Sequence, residues 1–396
     1  MKNFIRGDRS FWRHAPIESY FLIFFTLAAL FVVFYFGLDT TAIRNALSRT
    51  LILSYLFGGG YFITGLFLFD IYFFVRLFSL FFEAWLARSW HLFHDAVSVL
   101  GEYLFLTAML MVAFFDLGVM VGIADRAWQI EKVFSASSTL ATIDIRVTGG
   151  YPMVWLGNLL THHGVDALSI SAYDVLIPLA SIFFIYAIFF QQSLLRRFIL
   201  FFFISAAIAI PFWFTVPALS PYHFYTRDIS LSDTAVPAAE QLAAYHPSPA
   251  LASAISFVSK PQVGIGSYKD ITNFPSMHAA WGAGLTYFGI LALGAGASVV
   301  LVPWFFLEMA GALITGEHYA VDLVAGILVA VVAIWITDRL LDLEKRYYRG
   351  GNSFALFIIA EEDARRLTNI SKFLCLKLRD ALKNLFVHGK NKFGHK

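Results

Sequence analysis

The chain has 396 residues, of which 59% are hydrophobic and only 14% charged, with a formal net charge of +2 and a mean hydropathy of +0.69. Soluble domains carry about a quarter charged residues, so a soluble fold is excluded, and several apolar windows of about eighteen residues or more identify a helical membrane protein. The single cysteine, Cys375, excludes an internal disulfide and a cysteine-based metal cluster.

Lys2, Arg6, Arg9 and Arg13 precede the first apolar run, Ile17 to Gly37, and place the N-terminus in the cytoplasm by the positive-inside rule. That run is long enough to span and lacks a small-residue cleavage pattern, so it is expected to be a first transmembrane helix and not a signal peptide. A second span is expected from about Leu51 to Phe74. Its run Gly58-Gly59-Gly60 permits close helix approach or a local break. Residues 76–95, with Arg76, Arg88, His91 and His94, read as a cytoplasmic connection. The third span, Val97 to Ile123, contains Asp116, which must face protein or water.

Hydropathy drops from Asp125 to Tyr173, a segment expected outside the membrane with short interfacial helices. A fourth span from Val175 to Phe190 meets the basic turn Arg196-Arg197. A fifth, from Phe198 to about Val216, returns outward. Residues 217–275 form the longest polar stretch and show little periodicity. Three short spans follow: Met277 to Leu293, Val299 to Ile314 and Tyr319 to Trp335. From Asp338 onward there are 13 Lys/Arg against 7 Asp/Glu, which places the tail inside. Within it, Leu367, Ile370, Leu374, Leu378, Leu382 and Leu385 recur at helical spacing among basic residues. This predicts an amphipathic helix lying on an anionic leaflet or packing on protein. The fold class is therefore all-α: a polytopic membrane protein of about eight spans. Residues 1–125 hold N-terminal spans, 126–337 a catalytic membrane core and 338–396 a basic tail.

Eight spans with both termini inside bring the 217–275 loop, His278 and His318 to the outer face. His318 and Asp322 are four apart at the start of the last span and share one helix face. A carboxylate there takes the proton of one ring nitrogen and leaves the other basic, which suits a nucleophile toward phosphorus or a general base. His278, protonated, could donate to a leaving oxygen, and Ser276 with the amides of its helix start could hold an anion. The set fits phosphoryl transfer. Each part also has a plainer reading: a local His–Asp pair, a wetted helix-end histidine, or a metal site with too few ligands. Glu308, mid-span, reads as a structural hydrogen-bonding group several turns from the site. His162, His163 and His223 share the outer side without distinguishing spacing.

The wording of two motifs narrows this. Phe274-Pro275-Ser276-Met277-His278, followed after one apolar hairpin by Gly316-Glu317-His318-Tyr319-Ala320-Val321-Asp322, resembles the type 2 phosphatidic acid phosphatase superfamily, and within it the inositol phosphorylceramide synthase-like branch. The resemblance covers roughly residues 170–337 and implies a six-helix core. It implies that His318 is the nucleophile that forms a phosphohistidine, oriented by Asp322, with His278 as acid and Ser276 on the phosphate. No cofactor or metal is implied. Where many members carry an arginine six residues before the nucleophile, this chain has Ala312. The family's first, cationic signature is not clear either. Pro217-Ala218-Leu219-Ser220-Pro221-Tyr222 with Arg227 just beyond is the first candidate, and Lys269 and Lys260 are others, because a partly dry phosphate site needs a cation.

The expected function is a membrane lipid phosphatase or head-group phosphotransferase in a prokaryotic inner membrane, with its site on the periplasmic or exterior face. Its partners are a lipid phosphate substrate and membrane lipids, with no nucleic acid. Two rivals remain. One is a transporter using Asp116 and Glu308, which predicts transport retained without His318. The other is a non-catalytic lipid binder.

Overall fold

The computed structural model describes residues 17–35, 61–97, 99–101, 103–104, 130–226, 247–259 and 271–347. In chain order the elements are α1 (Ile17–Tyr35), α2 (Tyr61–Leu86), α3 (Ile130–Thr148), α4 (Pro152–His162), α5 (Asp166–Asp174), α6 (Leu176–Phe190) and α7 (Gln192–Thr215). After β1 (Pro217–Leu219) come α8 (Pro221–Thr226), α9 (Pro249–Ser259), β2 (Ile271–Asn273), α10 (Met277–Leu293), α11 (Ser298–Ile314) and α12 (Ala320–Tyr347).

Among the described residues, three helical stretches are long and apolar enough to cross a membrane: Leu194–Thr215, Ala295–Ile314 and Ala320–Glu344. α5 and α6 together make a fourth, bent by 46°. The expected spans over 17–37, 51–74 and 97–123 fall partly outside the described residues, as do Gly58 to Gly60. Asp116, Arg227, Lys260, Lys269 and the predicted tail helix lie wholly outside them.

α12 shows why these helices sit in lipid. Val324, Leu328, Val331 and Trp335 recur every three or four residues along its exposed face, whereas Asp322, Gly326, Ala330, Ala333 and Thr337 turn inward. The apolar stripe faces outward and the small and polar residues face the bundle, the reverse of a soluble helix. α10 lies at the centre, against α7, α11 and α12. Phe198, Phe201, Phe288, Leu285, Ala330 and Ala333 form the shared core there.

The adjoining ends of α7 and α12 are locked by charge. Both terminal nitrogens of Arg196 donate to Glu344, at 2.6 and 2.8 Å, and Arg197 pairs with Asp338 at 2.8 Å. The expected basic turn before the fifth span is thus the second turn of α7 itself.

Four boundaries differ from the sequence expectation. α2 runs through Phe74 to Leu86, so the first half of the expected connection is helix; Arg76 and Glu83, two turns apart, share its face at 3.9 Å. Ahead of the expected fourth span, α5 joins α6, and only the two together have the length and apolar composition to cross a membrane. Pro178 has no N–H to give to the carbonyl of Asp174, four residues back, and the helix breaks there. In the 217–275 stretch, β1 and β2 pair antiparallel, Pro217 opposite Asn273 and Leu219 opposite Ile271. The last helix continues past Trp335 to Tyr347.

Candidate active site

The short β1–β2 ladder delivers the chain to α10. Ser276 is the helix N-cap: its Oγ accepts the amide of Ala279 at 3.3 Å, and the residue is fully buried. Its own amide donates to the carbonyl of Asp322 at 3.3 Å. The two backbones meet here because residue 326 is glycine; a Cβ on Gly326 would lie 2.2 Å from the carbonyl oxygen of Ser276. The start of α10 is thereby pressed onto the first turns of α12.

Between α11 and α12 the chain turns at Gly316, whose φ of +74° suits glycine. The amide of His318 donates back to the carbonyl of Ala312 at 3.3 Å, so the histidine hangs from the end of α11. Asp144 of α3 holds the other side: its carboxylate accepts the amides of Ala320 at 2.7 Å and Val321 at 2.8 Å. It is an N-cap supplied from 176 residues away. Burial raises the Asp144 carboxyl to about 6, against the pull of those two amides.

On this frame the predicted imidazoles meet. His318 Nδ1 and Asp322 Oδ2 are 2.6 Å apart, and His318 Nε2 and His278 Nδ1 are 3.3 Å apart. His318 is 7% exposed and Asp322 is fully buried. With Nδ1–H given to the carboxylate, neutral His318 has only a lone pair at Nε2, so the contact is filled by an N–H of His278. Burial pulls the basicity of His318 down. The charge and hydrogen bond of Asp322, with the charge of Glu317, push it up, and the balance is upward.

The sequence-predicted residues therefore divide. His318, Asp322 and His278 are in mutual contact, with Ser276 at the adjoining helix cap, while Arg227 and Lys269 are outside the described residues. His162 and His163 are exposed at the end of α4, with ring centroids 5.1 Å apart. His223 Nδ1 is 2.7 Å from Ser220 Oγ, next to Tyr222, whose amide donates to the carbonyl of Gly316. Ala312, in the arginine position, is fully buried among Tyr173, Ala279, Met309 and Leu323, so the position is filled by packed core. Among the described residues no group of three or more His, Cys, Asp or Glu is arranged to hold a metal ion.

The expectation for Glu308 is corrected on two counts. It lies one turn from the site, since a Cβ on Gly282, a turn beyond His278, would sit 2.8 Å from its Oε2. Moreover, neither of its carboxyl oxygens has a hydrogen-bond partner among the described residues.

A family model of the PAP2 superfamily matches residues 138–336, half of the chain. The chain belongs to the PAP2 superfamily. Membership brings phosphatase-type enzyme activity at the level of the superfamily. The match starts within α3, ahead of the stretch carrying the two motifs, so the PAP2 unit includes Asp144. No curated protein and no solved structure matches the chain.

Sequence reasoning missed three residues around the PAP2 motifs: Asp144, Tyr173 and Glu317. Asp144 shares a buried face with Leu140 and Ala141, and a lone acid on such a face is the signal that marks it. Tyr173 and Glu317 carry no local signal; they meet only through the fold, Tyr173 Oη donating to Glu317 Oε2 at 2.5 Å.

Proposed function

We propose that this chain is an integral membrane enzyme that cleaves or transfers a lipid-linked phosphate at the outer membrane face. The observation that carries the reading is the unbroken contact series Asp322–His318–His278 at the mouth of the α11–α12 turn. His318 Nε2 attacks phosphorus as the bond to the leaving oxygen breaks, and that oxygen takes a proton from His278, which enters the step as the imidazolium and is left neutral. The product is a phosphohistidine. An incoming water or alcohol then gives its proton to His278 and attacks phosphorus, and the P–N bond breaks to restore His318. Asp322 keeps the tautomer. Ser276, with the amides at the start of α10, contacts phosphate oxygens, and Arg227 or Lys269 supplies the countercharge.

The two imidazoles touch in this structure, so the phosphoryl group enters by parting them. The outer-face assignment rests on charge: α12 rises about 36 Å from Ala320 to Glu344 at 1.5 Å per residue, so the arginine lock and His318 lie on opposite sides of a hydrocarbon core about 30 Å thick. The basic end belongs inside.

Incubating purified protein with dispersed lipid phosphates and measuring phosphate release tests the reading. His318→Ala abolishes release while the protein stays folded; release at the parent rate would end the proposal. Transfer of a head-group phosphate to an alcohol, as in the inositol phosphorylceramide synthase-like branch, is the second reading. The Pro-Ser-Met-His and His-Tyr wording and Ala312 in the arginine position favour it. Product analysis with and without an added polyol separates the two.

A further inference from the structure

Tyr173 closes a circuit around the two histidines. Its ring lies against the His278 imidazole, centroids 4.7 Å apart at 35°, and its hydroxyl donates to Glu317, the residue joined to His318. His278 in turn touches His318, 3.3 Å between ring nitrogens. The circuit Tyr173–Glu317–His318–His278–Tyr173 therefore returns on itself, although Tyr173 and Glu317 are 144 residues apart.

The placement of Tyr173 is itself constrained. It stands in the last turn of α5, just before the helix breaks, and is 8% exposed. α11 approaches it at Gly311, where a Cβ would lie 2.8 Å from Tyr173 Cβ and 2.3 Å from the carbonyl oxygen of Ser169. Trp304 Nε1 donates to the carbonyl of Ala172 at 3.2 Å, which fastens the same turn to α11.

We propose that Tyr173, held by Glu317, is a positioning residue that fixes the plane of the His278 imidazole at the nucleophile. The inference rests on the reading of His278 as the acid. An imidazole on a single side-chain torsion pair sweeps a wide arc, and proton transfer requires the donor nitrogen within hydrogen-bond reach of the leaving oxygen. The Tyr173 ring on one face holds the plane of the His278 imidazole, including when the phosphoryl group parts it from His318. The hydroxyl bond keeps that flat ring in register with the turn that carries the nucleophile.

The test is leaving-group dependence. An alkyl phosphate leaves as an alkoxide and needs the acid's proton; a nitrophenyl phosphate leaves as a stable phenolate and does not. Tyr173→Leu, which removes both the ring and the hydroxyl, slows alkyl-phosphate turnover by about 10- to 100-fold and leaves nitrophenyl-phosphate turnover near the parent rate. Tyr173→Phe, which cuts the tie and leaves both the ring and the Glu317 charge in place, gives a smaller loss, again confined to the alkyl substrate. In a His278→Ala background, Tyr173→Leu has no further effect. Equal loss on both substrates, or full additivity with His278→Ala, overturns the inference and marks Tyr173 as packing alone. If His278→Ala does not itself discriminate between the substrates, the acid assignment fails and the inference fails with it. Thermal unfolding in detergent, unchanged for Tyr173→Phe, separates positioning from loss of fold.

Discussion

Replacing Asp144 with alanine tests whether a long-range cap holds the site. The change removes the acceptor of two partly buried amides, Ala320 at 2.7 Å and Val321 at 2.8 Å. Each stranded amide costs about 1–3 kcal/mol, so the first turn of α12 loses about 2–6 kcal/mol. Hydrogen exchange of those two amides then accelerates by at least about tenfold, at about 1.4 kcal/mol per factor of ten. Turnover falls with it, because His318 and Asp322 flank the loosened turn. The direction with pH is also fixed. The carboxyl is held near 6, above its ordinary value of 3.8, so the folded form binds its proton more tightly than the unfolded chain. The stability this adds is fully present below about 4 and is lost as pH rises through about 6. The parent therefore gains stability on acidification across that window, and Asp144→Asn lacks this part of the gain. Parent-like exchange at residues 320 and 321 in Asp144→Ala would refute the reasoning.

Three further outcomes follow from the same geometry. Asp322→Asn removes the charge that holds His318 above its ordinary basicity, so the acid limb of the pH–rate profile moves to lower pH while the maximal rate falls; a limb that stays in place contradicts the pairing. Glu344→Gln removes the charge paired with the partly buried Arg196 and lowers stability by about 1.5–3 kcal/mol, read by thermal unfolding in detergent, and Arg196→Met together with Glu344→Leu recovers most of it. Glu308→Met replaces a fully buried carboxyl that lacks hydrogen-bond partners among the described residues by an apolar side chain of similar length. It raises the unfolding temperature, since an unmet buried polar group costs about 1–3 kcal/mol; a fall would show that Glu308 has a partner in the membrane.

The sequence carried the site's centre because that centre is local. His318 and Asp322 are one helical turn apart, and His278 is joined to them by a single apolar hairpin, so spacing suffices to bring them together. What was not legible depends on pairings between distant segments. Asp144 reaches α12 across 176 residues and Tyr173 reaches Glu317 across 144. α5 lies in the stretch expected outside the membrane with short interfacial helices, and what hydropathy could not show is that its polar residues are internally satisfied: Asp166 accepts from Thr161 and Ser248, and Ser169 donates to the carbonyl of Val165. Glu308 was placed too deep by counting along the chain to His318; across the antiparallel hairpin its neighbour is Gly282, near the other histidine.

α12 is pinned at both ends, by Asp144 at its first residues and by Arg196 at Glu344. A rod with two fixed anchors cannot shorten to suit a thin bilayer; it must lean, or the lipid must stretch around it. The histidine-bearing turn rides on that rod, so acyl-chain length in the surrounding membrane sets the height at which the imidazoles meet the headgroup layer. Turnover compared in vesicles of one headgroup and different acyl-chain lengths is the measurement that reads such a coupling.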